Sequence, residues 1–210
     1  MPRTYAEDTV PPQQALARLR EGNRRFVAGE GSALRDWHPG LTEGQRPFAI
    51  ILGCADSRAP AEYVFDQGLG DLFVIRVAGN IIAPSLVGSV EYAVGNLGTR
   101  LVVVMGHTQC GAVSATVHAL EHGGQPESPH IQAIVDFISP HVRELFDGKD
   151  DHGTHEERIE QSERLNALAS ARELRNSSEY LRGLIEEGRI QIVSALYELA
   201  TGKVTFLEEE

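Results

Sequence analysis

Short, continuous apolar runs recur along the chain, and segments with helical periodicity separate them. Three such runs are Phe48 to Gly53, Leu72 to Val77 and Leu101 to Met105, and Arg189 to Tyr197 is a fourth strand candidate. A short apolar run without polar alternation is typical of a strand that is buried on both faces of a parallel sheet. Because parallel strands need crossover connections, which are right-handed, the pattern predicts an α/β fold.

The remaining segments complete this predicted fold. Helices are predicted over residues 12–28, 85–96, 109–121 and 155–186, with a further helix that carries Ile131 and Ile138. Pro140 should interrupt or kink that further helix. A turn at Thr201-Gly202 leads into an antiparallel edge strand, Lys203 to Leu207. The expected architecture is a mostly parallel central sheet of about four strands plus an antiparallel C-terminal edge strand, flanked by helices, with an N-terminal helical arm.

Length, composition and charge limit the class of protein. The chain has 210 residues, 41% of them hydrophobic, and a net charge of -11. We expect a single domain over residues 1–210, with an N-terminal helix and arm over 1–44 and an α/β core over 45–210. Nucleic acids and anionic membranes bind clustered Lys and Arg, and a net charge of -11 opposes such binding. Neither is therefore an expected partner. No apolar run has the ~20 residues of a membrane span, and the N-terminus lacks a secretion signal, so a cytoplasmic location is expected.

The only two cysteines lie just beyond two of the predicted strands. Cys54 follows the first run, and His107 and Cys110 follow the third. Because the carboxyl ends of parallel strands share one sheet edge, the three side chains are expected to form one site. Thiolate and imidazole are zinc ligands, and catalytic zinc sites use three protein groups and one open position. The alternative is that both cysteines are ordinary buried residues and His107 caps a helix.

A charged pair follows the first cysteine. Asp56 could coordinate the metal or accept a hydrogen bond from a metal-bound hydroxide, and the guanidinium of Arg58 could hold that carboxylate away from the metal. A surface ion pair worth less than ~1 kcal/mol is the competing interpretation. Two thiolates neutralise the charge of Zn²⁺. The pKa of a bound water should therefore be higher than the value of ~7 found at a three-histidine site. Activity that depends on such a water should rise toward alkaline pH.

Two short motifs carry a resemblance to a known family. Cys54-Ala55-Asp56-Ser57-Arg58 and His107-Thr108-Gln109-Cys110-Gly111 resemble the C-x-D-S-R and H-x-x-C-G segments of the β-class carbonic anhydrases. The resemblance extends from about Gln13 to Leu207 and includes Arg76 to Asn80. It implies an α/β fold, a homodimer or homotetramer, and reversible hydration of carbon dioxide to bicarbonate and a proton by attack of zinc-bound hydroxide.

The resemblance also implies a role for each motif residue. Cys54, His107 and Cys110 would be the ligands of Zn²⁺. Asp56 would orient the zinc hydroxide in an open state, in which Arg58 holds its carboxylate. In a closed state Asp56 would replace the hydroxide as fourth ligand.

Four further positions match the family's substrate cleft. Gln45 would hydrogen-bond the substrate, and Gly111 falls where the backbone approaches the metal site. Phe73 and Tyr92 would line an apolar cleft to which a neighbouring subunit contributes. Ordinary core packing explains Phe73 and Tyr92 equally well.

Three other functions compete with carbon dioxide hydration. The same scaffold could hydrolyse carbon disulfide or carbonyl sulfide, and a direct comparison of substrates would discriminate the two. A catalytically silent zinc or bicarbonate-binding protein would have no need for Asp56, Arg58 and Gln45. A thiol redox protein is disfavoured because the two cysteines form no C-x-x-C motif.

Overall fold

A five-stranded sheet forms the centre of the computed structural model, which describes residues 9–31, 39–124, 126, 128–146 and 153–208. The strands are β1 Ala49–Gly53, β2 Leu72–Arg76, β3 Leu101–His107, β4 Gln191–Tyr197 and β5 Val204–Leu207. Their order is β2-β1-β3-β4-β5, and every pair is parallel except β4 with β5. The predicted fold class, with its antiparallel C-terminal edge strand, is therefore confirmed.

Seven α-helices flank the sheet within the described ranges. They are α1 Pro12–Val27, α2 Ala61–Val64, α3 Pro84–Leu97, α4 Gly111–His122, α5 Pro129–Val142, α6 His155–Ser177 and α7 Glu179–Glu186. The four-residue helix α2 was not predicted, because so short a segment shows no periodicity. Pro140 lies in the last turn of α5, which continues only to Val142, so the helix tolerates the lost hydrogen bond near its end.

Two apolar cores cover the two faces of the sheet. Ile51 and Val103 lie in one core with Leu19 of α1, and Ile50 and Val102 lie in the other, which α3, α6 and α7 cover. Successive side chains of a strand point to opposite faces. Burial on both faces therefore explains why the sequences of β1 and β3 are almost continuously apolar.

Parts of two predicted segments lie outside the described residues. In the predicted arm these are residues 32–38, whereas Pro39–Glu43 forms a 3₁₀ turn. Residues 147–152, in the polar segment predicted as a surface turn, also lie outside the described residues. No helix among the described residues is long and apolar enough to cross a membrane.

One buried side chain fixes α1 to the C-terminal hairpin. Asn23 is 6% exposed, and its Nδ2 donates to the carbonyl oxygens of Val64 at 3.0 Å and Gly202 at 2.8 Å. Its Oδ1 accepts from the backbone N–H of Val204 at 2.9 Å. The end of α2 at Val64 and the hairpin at Gly202 and Val204 are therefore joined through a single amide on α1.

We expect Asn23→Ala to lower the free energy of unfolding by about 2–4 kcal/mol, because it leaves buried main-chain groups without partners. Urea unfolding followed by circular dichroism measures this change. Gln14→Ala is the control, since Gln14 is exposed on the same helix and its loss should change stability by less than about 0.5 kcal/mol. Equal unfolding midpoints for the two variants would contradict the proposed tie.

Candidate metal centre

Three potential metal ligands meet at the carboxyl edge of the sheet. Cys54 directly follows β1, His107 is the last residue of β3, and Cys110 directly precedes α4. Their ligand atoms all lie within 4.8 Å of one another, and the two sulfurs are 4.0 Å apart. All three residues are buried, and among the described residues they form the only such group of metal-binding side chains. The predicted meeting of these side chains is confirmed.

The imidazole of His107 points an unpartnered nitrogen into this group. Its Nδ1 lies 2.9 Å from the carbonyl oxygen of Thr108, which can only accept, so Nδ1 carries the proton. Its Nε2 is buried and has no hydrogen-bond partner. Burying such a nitrogen without a partner is costly, and a metal ion between this nitrogen and the two sulfurs would remove that cost. The donor set fits Zn²⁺.

A tight turn brings Cys110 back to His107. Gln109 has a φ of 57°, in the left-handed region that non-glycine residues seldom adopt. This conformation reverses the chain between β3 and α4. The Nη2 of Arg58 donates to the carbonyl oxygen of Gln109 at 3.1 Å, so the turn is also held from the Cys54 loop.

The pKa values of the two thiols are shifted in opposite directions. Hydrogen bonding with Cys110 lowers the pKa of the Cys54 thiol, and the nearby imidazole of His107 and the N–H of Gly79 act in the same direction. The Cys54 sulfur in turn raises the pKa of Cys110, as does burial. Cys54 is therefore the first of the two to become a thiolate. Metal binding requires both thiolates and therefore releases the protons that the two thiols carry.

Arg58 holds Asp56 in a bidentate contact beside the three ligands. Its Nε donates to Oδ1 at 2.9 Å and its Nη2 to Oδ2 at 2.7 Å, and its backbone N–H also donates to Oδ1 at 2.8 Å. These hydrogen bonds hold the pKa of Asp56 well below its usual range. The carboxylate Oδ2 lies 3.9 Å from Nε2 of His107. An ionised carboxylate thus lies next to the ligand group while it is bound to Arg58.

A second arginine supports the same loop from β2. The Nε of Arg76 donates to the carbonyl oxygen of Cys54 at 2.9 Å, and its Nη2 donates to that of Asp56. In the sequence Arg76 is part of the segment that carries the family resemblance, and no role in supporting the Cys54 loop is predicted for it. Its function depends on β2 lying beside β1, which periodicity alone does not reveal.

The four residues predicted for the substrate cleft lie in four different parts of the chain. Gln45 lies in an exposed loop before β1, and Gly111 is exposed at the first position of α4. Tyr92 on α3 is 51% exposed, and its ring centroid lies 6.3 Å from that of Phe73 on edge strand β2. Core packing within the chain therefore does not account for Tyr92. The cleft roles of these four residues remain predictions.

Comparisons with known proteins agree on one family. A family model described as carbonic anhydrase matches residues 49–204. The chain is 40% identical over 195 residues to carbonic anhydrase 2 of Mycobacterium tuberculosis, covering 91% of each chain. It is 39% identical over 196 residues to the carbonic anhydrase of Mycolicibacterium smegmatis, covering 92% of each. The crystal structure of the β-carbonic anhydrase CafA of Aspergillus fumigatus is 26% identical, with a TM-score of 0.71, covering 93% of this chain and 90% of that one.

Proposed function

The chain belongs to the β-carbonic anhydrase family, and we propose that it catalyses the zinc-dependent, reversible hydration of carbon dioxide to bicarbonate and a proton. One observation carries this proposal. A buried group of two thiols and an unpartnered imidazole nitrogen lies beside a carboxylate that an arginine holds in place. Relatives named carbonic anhydrase, which match along most of the chain, support the reaction class.

In this proposal Cys54, His107 and Cys110 hold the zinc. When bound, zinc would act as a Lewis acid that lowers the pKa of a coordinated water. Asp56 accepts a hydrogen bond from the reacting water at Oδ2 and so fixes its orientation. Arg58 keeps the carboxylate of Asp56 ionised and directs it away from the ligand group.

The aromatic pair on the β2 side supplies a surface for the substrate and for a second copy of the chain. Carbon dioxide is uncharged and has no net dipole, so the apolar rings of Phe73 and Tyr92 offer it a favourable binding surface. Gln45 would donate a hydrogen bond to an oxygen of bicarbonate. An edge strand flanked by a half-exposed aromatic ring is a surface that a partner can cover. We therefore propose a homodimer or homotetramer.

Two alternatives are weighed against this function. Hydrolysis of carbon disulfide or carbonyl sulfide needs the same metal ligands and a reshaped entrance, so only rates on the three substrates discriminate it. A zinc-binding protein without catalytic activity needs only ligands that fill the coordination positions of the metal. The bidentate contact between Asp56 and Arg58 beside the ligands favours a catalytic role over that alternative.

We expect purified protein to contain one zinc per chain and to hydrate carbon dioxide in a stopped-flow indicator assay. Activity should rise between about pH 7 and pH 9, because the two thiolates reduce the charge on the metal. Removing the metal with a chelator should abolish activity, and added zinc should restore it. Zinc-loaded protein that hydrates no faster than buffer, or that acts faster on carbon disulfide, would refute the proposed reaction.

A further inference from the structure

Two buried polar side chains on α6 have no part in the reaction proposed above. Glu163 is 2% exposed and Asn166 is 1% exposed. They are three residues apart on the helix and so project from the same face. This face packs closely on β3, since a Cβ added at Gly106 would lie 3.1 Å from the Cβ of Ala167. Helix α6 therefore lies against β3 at Gly106, the residue before His107.

Glu163 holds the loop that carries Cys110. Its Oε1 accepts a hydrogen bond from the backbone N–H of Cys110 at 2.8 Å. This N–H belongs to the last residue before α4 and follows the left-handed residue Gln109. The carboxylate thereby fixes the main chain at the point where it must reverse to present the Cys110 sulfur.

Asn166 acts in the same way on the turn that contacts Cys54. Its Nδ2 donates to the carbonyl oxygen of Gly79 at 2.8 Å, and the N–H of Gly79 donates to the sulfur of Cys54 at 3.4 Å. Gly79 has a φ of 72°, and a Cβ there would lie 2.7 Å from Cδ1 of Ile138. Glycine is therefore required for this close approach.

The amide of Asn166 is itself oriented from its other side. Its Oδ1 accepts from Nδ1 of His141 at 2.9 Å, and Nε2 of His141 lies 3.2 Å from Oε2 of Glu173. Both ends of the amide thus have a partner, so its donor faces Gly79. A continuous path of hydrogen bonds joins α5 and α6 to the Cys54 sulfur.

We propose that Glu163 and Asn166 are positioning residues that fix the two cysteine sulfurs at a metal-binding separation. The inference rests on the proposed zinc site. Each residue acts through main chain, Glu163 on Cys110 and Asn166 through Gly79 on Cys54. Groups that orient metal ligands in this way typically contribute about 10–100-fold to metal affinity.

Zinc affinity of the full-length protein, measured by competition with a chromophoric chelator, tests this role. Glu163→Leu and Asn166→Leu should each weaken zinc binding by about 10–100-fold. Glu163→Gln retains an acceptor oxygen and should restore affinity to within about threefold of the parent, since only the charge is lost. Ser170→Ala is the matched control, because this buried hydroxyl on α6 has no hydrogen-bond partner among the described residues.

The absorption spectrum of the cobalt-substituted protein gives a second readout. A purely structural role would lower the melting temperature of the leucine variants and leave the cobalt spectrum unchanged, whereas displaced sulfurs change the intensity of the thiolate bands. If Asn166→Leu does not fold, Asn166→Asp decides, since it keeps the acceptor for His141 and loses the donor to Gly79. If Glu163→Leu does not fold, the smaller substitution Glu163→Ala replaces it, because it also removes the acceptor for the N–H of Cys110.

The outcomes separate this inference from the proposed function. A parent protein that binds no zinc would overturn both. A parent that binds zinc and hydrates carbon dioxide, with leucine variants of equal zinc affinity and unchanged cobalt spectra, would overturn the positioning role alone. Loss of affinity in Ser170→Ala equal to that in Asn166→Leu would also overturn it, because the effect would then belong to the packing of α6.

Discussion

Replacement of Cys110 by serine is expected to weaken zinc binding strongly and to lower the carbon dioxide hydration activity of the dialysed protein. A serine hydroxyl stays protonated near neutral pH and offers zinc no anionic ligand, whereas the buried Cys110 thiol becomes a thiolate on metal binding. Zinc binding to structural sites is worth about 10–16 kcal/mol. One ligand of three would then account for about 3–5 kcal/mol, a factor of roughly 10²–10⁴ in affinity.

Zinc content after dialysis against a zinc chelator and the stopped-flow hydration rate measure this loss together. Met105→Leu is the matched control, because Met105 is a buried sulfur-containing residue of β3 that is not among the three ligands. That swap nearly conserves volume and should cost less than about 1.5 kcal/mol while zinc is retained. A Cys110→Ser protein that binds zinc as tightly as the parent would remove Cys110 from the ligand set.

The ligand group was predictable because its signal is local and its placement follows from a general rule. Strands β1 and β3 are buried along their whole length, and a ligand stands at or just beyond the carboxyl end of each, as with Cys54 after β1. In a parallel sheet these ends lie together. A distance of 4.0 Å between two sulfurs from different loops is then the expected result of the fold.

The supporting residues were not predictable, because nothing local distinguishes them. Glu160 and Glu163 are both acidic residues on α6, yet Glu160 is exposed and Glu163 is 2% exposed. A polar helix is ordinarily interpreted as a solvated one, and only the packing of α6 on β3 shows which carboxylate is buried. Arg76 is a similar case, since its partners depend on strand order. Tyr92 is another, since its exposure depends on which helix face the sheet covers.

Substitution of Arg58 by alanine is expected to leave zinc bound and still reduce hydration on the order of 10²-fold. Arg58 makes both side-chain contacts that hold the carboxylate of Asp56, whose Oδ2 is only 3.9 Å from Nε2 of His107. Without the guanidinium, this carboxylate is free to turn toward the ligand group. Asp56 would then occupy the fourth position around the metal, which the substrate water needs.

Retention of zinc separates this effect from loss of a ligand. The stopped-flow rate and zinc content should diverge in Arg58→Ala, whereas both should fall in Cys110→Ser. Arg58→Lys should give an intermediate rate, because it keeps the charge and loses the planar fork. Arg24→Ala is the control, since it removes an exposed arginine that pairs with Glu21 on α1 and should leave the rate unchanged.

A double variant identifies the carboxylate as the cause. If Asp56 blocks the metal in Arg58→Ala, adding Asp56→Asn removes the anionic ligand and should reopen the fourth position to a small anion such as azide. Titration of the cobalt-substituted proteins with azide measures this access, which should be weak in Arg58→Ala and restored in the double variant. Equal azide affinity in the two proteins, or an Arg58→Ala rate within about threefold of the parent, would show that Arg58 does not control access to the metal.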